Sequence, residues 1–198
     1  MQMPVTVPSL RRAGLLFLLW IVSHGVSASD KEPQEYLDEE TAATITVVGK
    51  PLVFAYARRD LAANARDYVS LAAAAVNRAG KVSYVVIGYI WSTADAHRRP
   101  DPLPPADAVV LVADDRVMPL KLVGHSAHEA GIGVPVHQPA GFNLVPNVYS
   151  TDLASLRFVA AARQLHVHIE LPDTTLSFEL WEDRRDALGA FVRQLGGW

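Results

Sequence analysis

Residues 68–93, YVSLAAAAVNRAGKVSYVVIGYIWST, decide how the rest of the chain is read. The stretch predicts two long strands around the turn Asn77-Arg78-Ala79-Gly80-Lys81. In the second strand Val82, Tyr84, Val86 and Ile90 fall on one side, and Val85, Ile87, Tyr89 and Trp91 on the other. Both faces are apolar, which suits a strand in the middle of a sheet that is covered above and below. The alanine run Leu71–Ala75 competes with this reading, because alanine favours helix and Ala62–Val76 fits a single helix. Tyr68 and Val69 before the run, and a glycine turn after it, favour strand.

Working outward, Thr44–Val48 and Leu52–Tyr56 are β-branched and aromatic and flank a turn at Gly49-Lys50-Pro51. Ser29–Glu40 reads as an exposed polar lead-in, and Arg58–Asp67 as a loop or one helical turn. Downstream of a proline-rich crossing at 96–106, Ala108–Ala113 and Val117–Val123 form a second hairpin. Pro119 places its strand at an edge, since it has no amide to donate. Gly124–Gly141 is a long loop with three histidines, and Asn143–Tyr149 returns to the sheet.

The last third is the most periodic. Ser150 is positioned to cap a short helix through Arg163, with Leu153, Leu156, Val159 and Ala160 inward. Leu165, Val167, Ile169 and Leu171 alternate with polar residues, as do Leu176, Phe178 and Leu180 after the turn Pro172-Asp173-Thr174. That is a hairpin with one dry and one wet face. Glu182–Leu195 predicts an amphipathic helix with Leu188, Phe191, Val192 and Leu195 as its stripe and Trp181 one heptad earlier. Seven to nine short strands at hairpin spacing indicate a mainly β fold. The expected architecture is an antiparallel β-sandwich, immunoglobulin-like in outline, with a short helix and a C-terminal amphipathic helix.

The N-terminus reads as a targeting segment. Arg11 and Arg12 precede the apolar run Ala13–Val22, and Val26-Ser27-Ala28 offers small residues for cleavage before Ser29. The run is shorter than the roughly 20 residues that span a bilayer, so 1–28 is read as a signal peptide and 29–198 as one domain. The alternative is an inner-membrane anchor formed by residues 13–28. The expected location is periplasmic or secreted, with no transmembrane domain in the mature chain. A net charge of -3 and a pI near 6.1 give no expectation of nucleic-acid binding. With no cysteine, disulfides, thiolate zinc sites and thiol nucleophiles are excluded.

Chemistry is sparse. Gly124-His125-Ser126-Ala127-His128-Glu129, with His137 downstream, suits a zinc or copper site built from His125, His128, Glu129 and His137. The opposing reading is a polar loop whose histidines make ordinary hydrogen bonds. The spacing is not that of a zincin helix, whose two histidines are four apart. His166 and His168 share a strand face beside Glu170, which is also what the wet side of any hairpin shows. Ser126 lies in no G-x-S-x-G elbow. Tyr84, Tyr89 and Trp91 offer a ligand platform, or simply core.

The stretches Tyr36–Ala43 (YLDEETAA), Asn64–Tyr68 (NARDY) and Trp91–Thr93 (WST) resemble a group of uncharacterised exported proteins and lipoproteins of Gram-negative bacteria. The resemblance implies an envelope location and brings no activity or catalytic residue. This chain departs from it in lacking a cysteine to acylate. Two functions follow as expectations. The first is a non-enzymatic module binding an envelope protein or ligand. The second is a histidine-loop metal-binding protein or metal-dependent hydrolase.

Overall fold

The computed structural model describes residues 31–94, 101–140 and 144–196. The signal segment, Ser29 and Asn143 lie outside them. Eleven strands run in chain order as β1 (Gln34–Asp38), β2 (Ala43–Val47), β3 (Leu52–Ala57), β4 (Arg66–Arg78), β5 (Lys81–Ser92), β6 (Val109–Ala113), β7 (Arg116–Pro119), β8 (Lys121–Gly124), β9 (Asn147–Thr151), β10 (Leu165–Glu170) and β11 (Thr175–Glu182). Two helices, α1 (Leu153–Ala161) and α2 (Arg185–Leu195), flank the last hairpin. No described helix is long and apolar enough to cross a membrane.

The predicted hairpin is β4–β5, paired without a break from Asp67↔Ser92 to Arg78↔Lys81. It is the axis of the fold, because β4 is long enough to serve three partners. On its other side β3 takes Arg66–Leu71 and β2 takes Ala74–Asn77. A helix over Ala62–Val76 is thereby excluded: tertiary pairing overrides alanine's helical preference. The alanines instead keep both faces of β4 thin, and Ala72, Ala73, Ala74 and Ala75 are all buried.

All eleven strands belong to one antiparallel sheet that rolls into a nearly closed barrel. The expected mainly β class is found, while the division into two facing sheets is not seen. The reason lies at Pro119. The reading of Val117–Val123 as one strand runs across a break: β7 pairs with β6, and one residue later β8 pairs with β9. The two ends of the sheet are therefore successive pieces of one segment, bent at Pro119-Leu120. Leu120 N–H donates to Val109 O at 3.1 Å, holding the bend to β6. Bringing the ends together this way shortens the open edges, although β7 and β8 do not pair with each other and β1 pairs with β2 alone.

Inside the barrel, register aligns Phe54, Val69 and Ile90 across β3, β4 and β5. Val167 sits between Leu111 and Phe178 across β6, β10 and β11. The helices close this interior with Leu156 and Val159 of α1 and Ala187, Leu188, Phe191, Val192 and Leu195 of α2. Val85, Ile87, Val167, Ile169, Phe178 and Phe191 join one hydrophobic cluster. The outer face of β4–β5 is covered too. Residues Ala127, Ile132 and Val136 of the long loop are buried, and so are Ile87 and Tyr89, which face outward. This is why β5 is apolar on both sides.

Four local readings are corrected. Residues 34–38 form a strand, not a lead-in, pairing with β2 from Gln34↔Val47 to Asp38↔Ala43. The cap of α1 is Asp152, whose carboxylate accepts from Ser155 N at 2.7 Å; Ser150 is still in β9. The long loop includes a 3-10 turn at Ala127–Ala130. Helix α2 begins at Arg185, because β11 continues through Trp181 and Glu182. Trp181 consequently faces solvent, 53 % exposed, instead of extending the apolar stripe.

Candidate functional site: a barrel cavity and an aromatic groove

Two concave features stand out among the described residues. The first is a cavity of about 190 Å³ in the barrel interior. Leu71, Ala73 and Val86 of the central hairpin form its floor, and Leu156, Val159 and Leu188 of the helices its roof. Ala73 matters here: cross-strand from Val86, it leaves space that a larger side chain would fill. Met118, Pro119 and Leu120 at the barrel's bend make one wall. The mouth is polar, with Lys50 from the β2–β3 turn and Thr151, Asp152 and Ser155 at the start of α1. Asp152 is committed to the cap, accepting from both Ser155 N and Ser155 Oγ (3.1 Å). These bonds hold its carboxyl below the usual carboxylate range. An apolar body with a few polar groups at one end is the usual make-up of a small-molecule site.

The second feature is an open groove of about 410 Å³ on the outer face. Its backbone is an aromatic ladder across β5, β4 and β11. Trp91 and Tyr68, directly cross-strand, stack at 5.2 Å with 14° between their planes. Tyr68 then meets Trp181 edge-on at 6.3 Å, and the Arg66 guanidinium lies 4.8 Å above the Trp181 ring. Pro51 and Val53 line one side, and His137 and Pro139 of the long loop form a wall. His137 Nε2 is tied to Val48 O at 2.5 Å. Of the aromatics singled out from sequence, Trp91 lies in this groove and Tyr89 is 1 % exposed in the core. Tyr68 and Trp181 were not singled out. Tyr68 alternates as a strand residue should, and Trp181 belongs to a helix only if β11 ends too soon.

The residues of the histidine loop each find a separate partner. His125 Nδ1 is 3.0 Å from Asn147 Oδ1, and His128 Nε2 is 3.2 Å from Glu40 Oε1 on the exposed surface. Glu129 lies against Gly124, where an added Cβ would fall 1.8 Å from its carboxylate oxygen. Among the described residues no three histidine or carboxylate groups are gathered as a metal would need. The loop is held by other means. Asp38, in the β1–β2 corner, accepts from Gly133 N at 2.5 Å and from Glu40 N at 3.1 Å. Gly131, at φ 80°, terminates the 3-10 turn, its N–H donating to His128 O. His166 and His168 stand on the outer face of β10, with His166 Nδ1 3.0 Å from Glu179 Oε2.

A charge cluster around the buried Arg58–Asp67 pair pins the opposite end of β3–β4. Arg58 donates to Asp67 at 3.1 Å, to Asp60 at 2.7 Å and to Asp101 at 2.9 Å. These carboxylates raise the guanidinium pKa above its ordinary value, Asp60 contributing most. Comparison with family models, with curated proteins and with solved structures returns no match.

Proposed function

We propose that this chain is an exported, non-enzymatic binding protein whose barrel interior holds a small, mainly apolar molecule. The observation that carries the reading is the 190 Å³ cavity between the central hairpin and the two helices. The volume and the aliphatic floor and roof suit a benzene-sized guest, which would enter through the polar, open side. Space for guest atoms recovers dispersion contacts that the lining residues otherwise lack. The mouth supports binding over turnover, since the Ser155 hydroxyl and the Asp152 carboxylate are bonded to each other in the helix cap. The polar mouth also suits a guest with one hydrogen-bonding end. Export rests on the N-terminal pattern of Arg11-Arg12, the apolar run and the Val26-Ser27-Ala28 site.

The test is a thermal-shift titration of the purified protein with benzene, butanol and hexanol. Ligand at a hundredfold excess over its dissociation constant adds about 2.7 kcal/mol of stability. Ala73→Leu should fill the cavity and abolish the shift while the protein remains folded. No shift with any of the three, or an equal shift in the filled variant, would reject the reading.

A further inference from the structure

We infer that the outer groove is a docking site for an extended, proline-rich segment of a partner protein, one that carries an acidic side chain. The inference is independent of the barrel cavity, which opens on the other face of the sheet.

Three observations select this occupant. The first is ring orientation. Trp91 and Tyr68 face each other, Tyr68 meets Trp181 at 76°, and Arg66 covers one Trp181 face. The rings are thereby held in a fixed array, with Trp181 still half exposed at its end. A compact aliphatic ring such as pyrrolidine packs against such an array. Proline-rich segments are bound in aromatic-lined grooves on this principle.

The second is the donor inventory. Neither the Tyr68 hydroxyl nor the Trp181 indole N–H makes a hydrogen bond among the described residues, although Trp181 is 53 % exposed beside Tyr68. A polyproline II segment has no internal hydrogen bonds and turns its carbonyls outward, and its prolines bring no N–H. It asks for donors, which is what the ladder offers.

The third is charge. Arg66 makes no ion pair among the described residues and rests on Trp181 instead. The one carboxylate lining the groove, Glu182, is already bonded to Arg184 at 3.3 Å. The groove's uncommitted charge is therefore positive, complementary to an aspartate or glutamate in the segment.

A suitable probe is the peptide Pro-Asp-Pro-Leu-Pro-Pro, the sequence of residues 100–105 of this chain. At Pro105 the backbone has φ -68° and ψ 140°, the polyproline II conformation. Titration of the full mature chain is read by calorimetry and by the indole resonances of Trp91 and Trp181. Trp181→Ala should weaken binding about tenfold or more, as loss of an aromatic anchor does. Tyr68→Phe, which deletes one hydroxyl and keeps the stack, should weaken it about two- to tenfold. Arg66→Met should erase the advantage of the Asp peptide over its Asn counterpart. An unchanged melting temperature in Trp181→Ala excludes a folding artefact, and Tyr68→Phe keeps the test open should that variant misfold. Absence of binding at millimolar peptide, equal affinity in all variants, or perturbation of Trp181 by a disaccharide but not by the peptide would each overturn the proposal.

Discussion

The ring of Tyr149 lies where a side chain at Gly88 would have to go: a Cβ built there falls 2.9 Å from Tyr149 Cε2 and 3.2 Å from Leu71 Cδ2. Gly88 is the one inner-face position of β5 without a side chain, and β9 uses the gap to bring Tyr149 inside. Its hydroxyl then donates to Ala106 O at 3.0 Å, satisfying a polar group in an otherwise apolar place. Burial pushes the Tyr149 phenol pKa up. Gly88→Ala should therefore destabilise by about 1–3 kcal/mol through overpacking. Urea denaturation measures this, and a neutral or stabilising result would mean that the ring has room to move.

A second expectation concerns acid. Asp38 is 7 % exposed and its carboxyl lies below the usual range, chiefly because Gly133 N–H bonds to the ionised form. A depressed folded-state pKa contributes stability that is present above the unfolded value of about 3.9 and lost as pH falls through the folded value. Melting temperature should fall below about pH 4 in the native chain. Asp38→Asn should lower stability at pH 7 and flatten that acid limb, since Asn has no proton to take up. An equally steep limb in the variant would assign acid sensitivity to other carboxylates.

For the histidine loop the expected outcome is no rise in melting temperature with zinc or copper. His125, His128 and His137 are directed at Asn147, Glu40 and Val48, and bringing them to one ion would break three separate attachments of the loop. A stabilisation at micromolar metal that weakens as pH falls through about 6.5 and vanishes in His125→Ala/His128→Ala would instead make this loop a metal site.

What the sequence made legible was local and periodic. The β4–β5 hairpin, the β10–β11 hairpin and the stripe of α2 follow from alternation or 3.6-residue spacing that each segment carries within itself. Barrel closure does not. It depends on the short segment at Pro119-Leu120 changing partners from β6 to β9, and a single run of apolar residues looks the same whichever strands it joins. The cavity is hidden for a related reason: its floor and roof come from segments far apart in the chain, such as Ala73 and Val159. The aromatic groove is half visible in the sequence. Trp91 stands out, but Trp181 sits one heptad before Leu188 and so reads as an extension of the stripe of the helix expected over Glu182–Leu195, whereas strand pairing Glu182↔Val53 wins over that local pattern.

The last prediction separates members of one charge cluster by burial. Asp67 is fully buried and Arg58 nearly so, while Asp60 and Asp101 have side chains more than half exposed. All three carboxylates contact the same guanidinium, so a pairwise inventory would rank them alike. Solvent distinguishes them. An exposed partner is screened, and its removal leaves water to replace it, at a cost of about 0–1 kcal/mol. A buried partner is not replaced by water: breaking a buried pair costs about 3–5 kcal/mol where nothing else faces the remaining charge, and less here because Asp60 and Asp101 still bond Arg58. Asp67→Asn should therefore destabilise severalfold more than Asp101→Asn when both are compared by chemical denaturation at pH 7. Asp67 belongs to β4, so its loss also frees the Arg66 end of the strand on which the barrel turns. Similar costs for the two substitutions would show that water reaches Arg58 and that the cluster acts as a surface network.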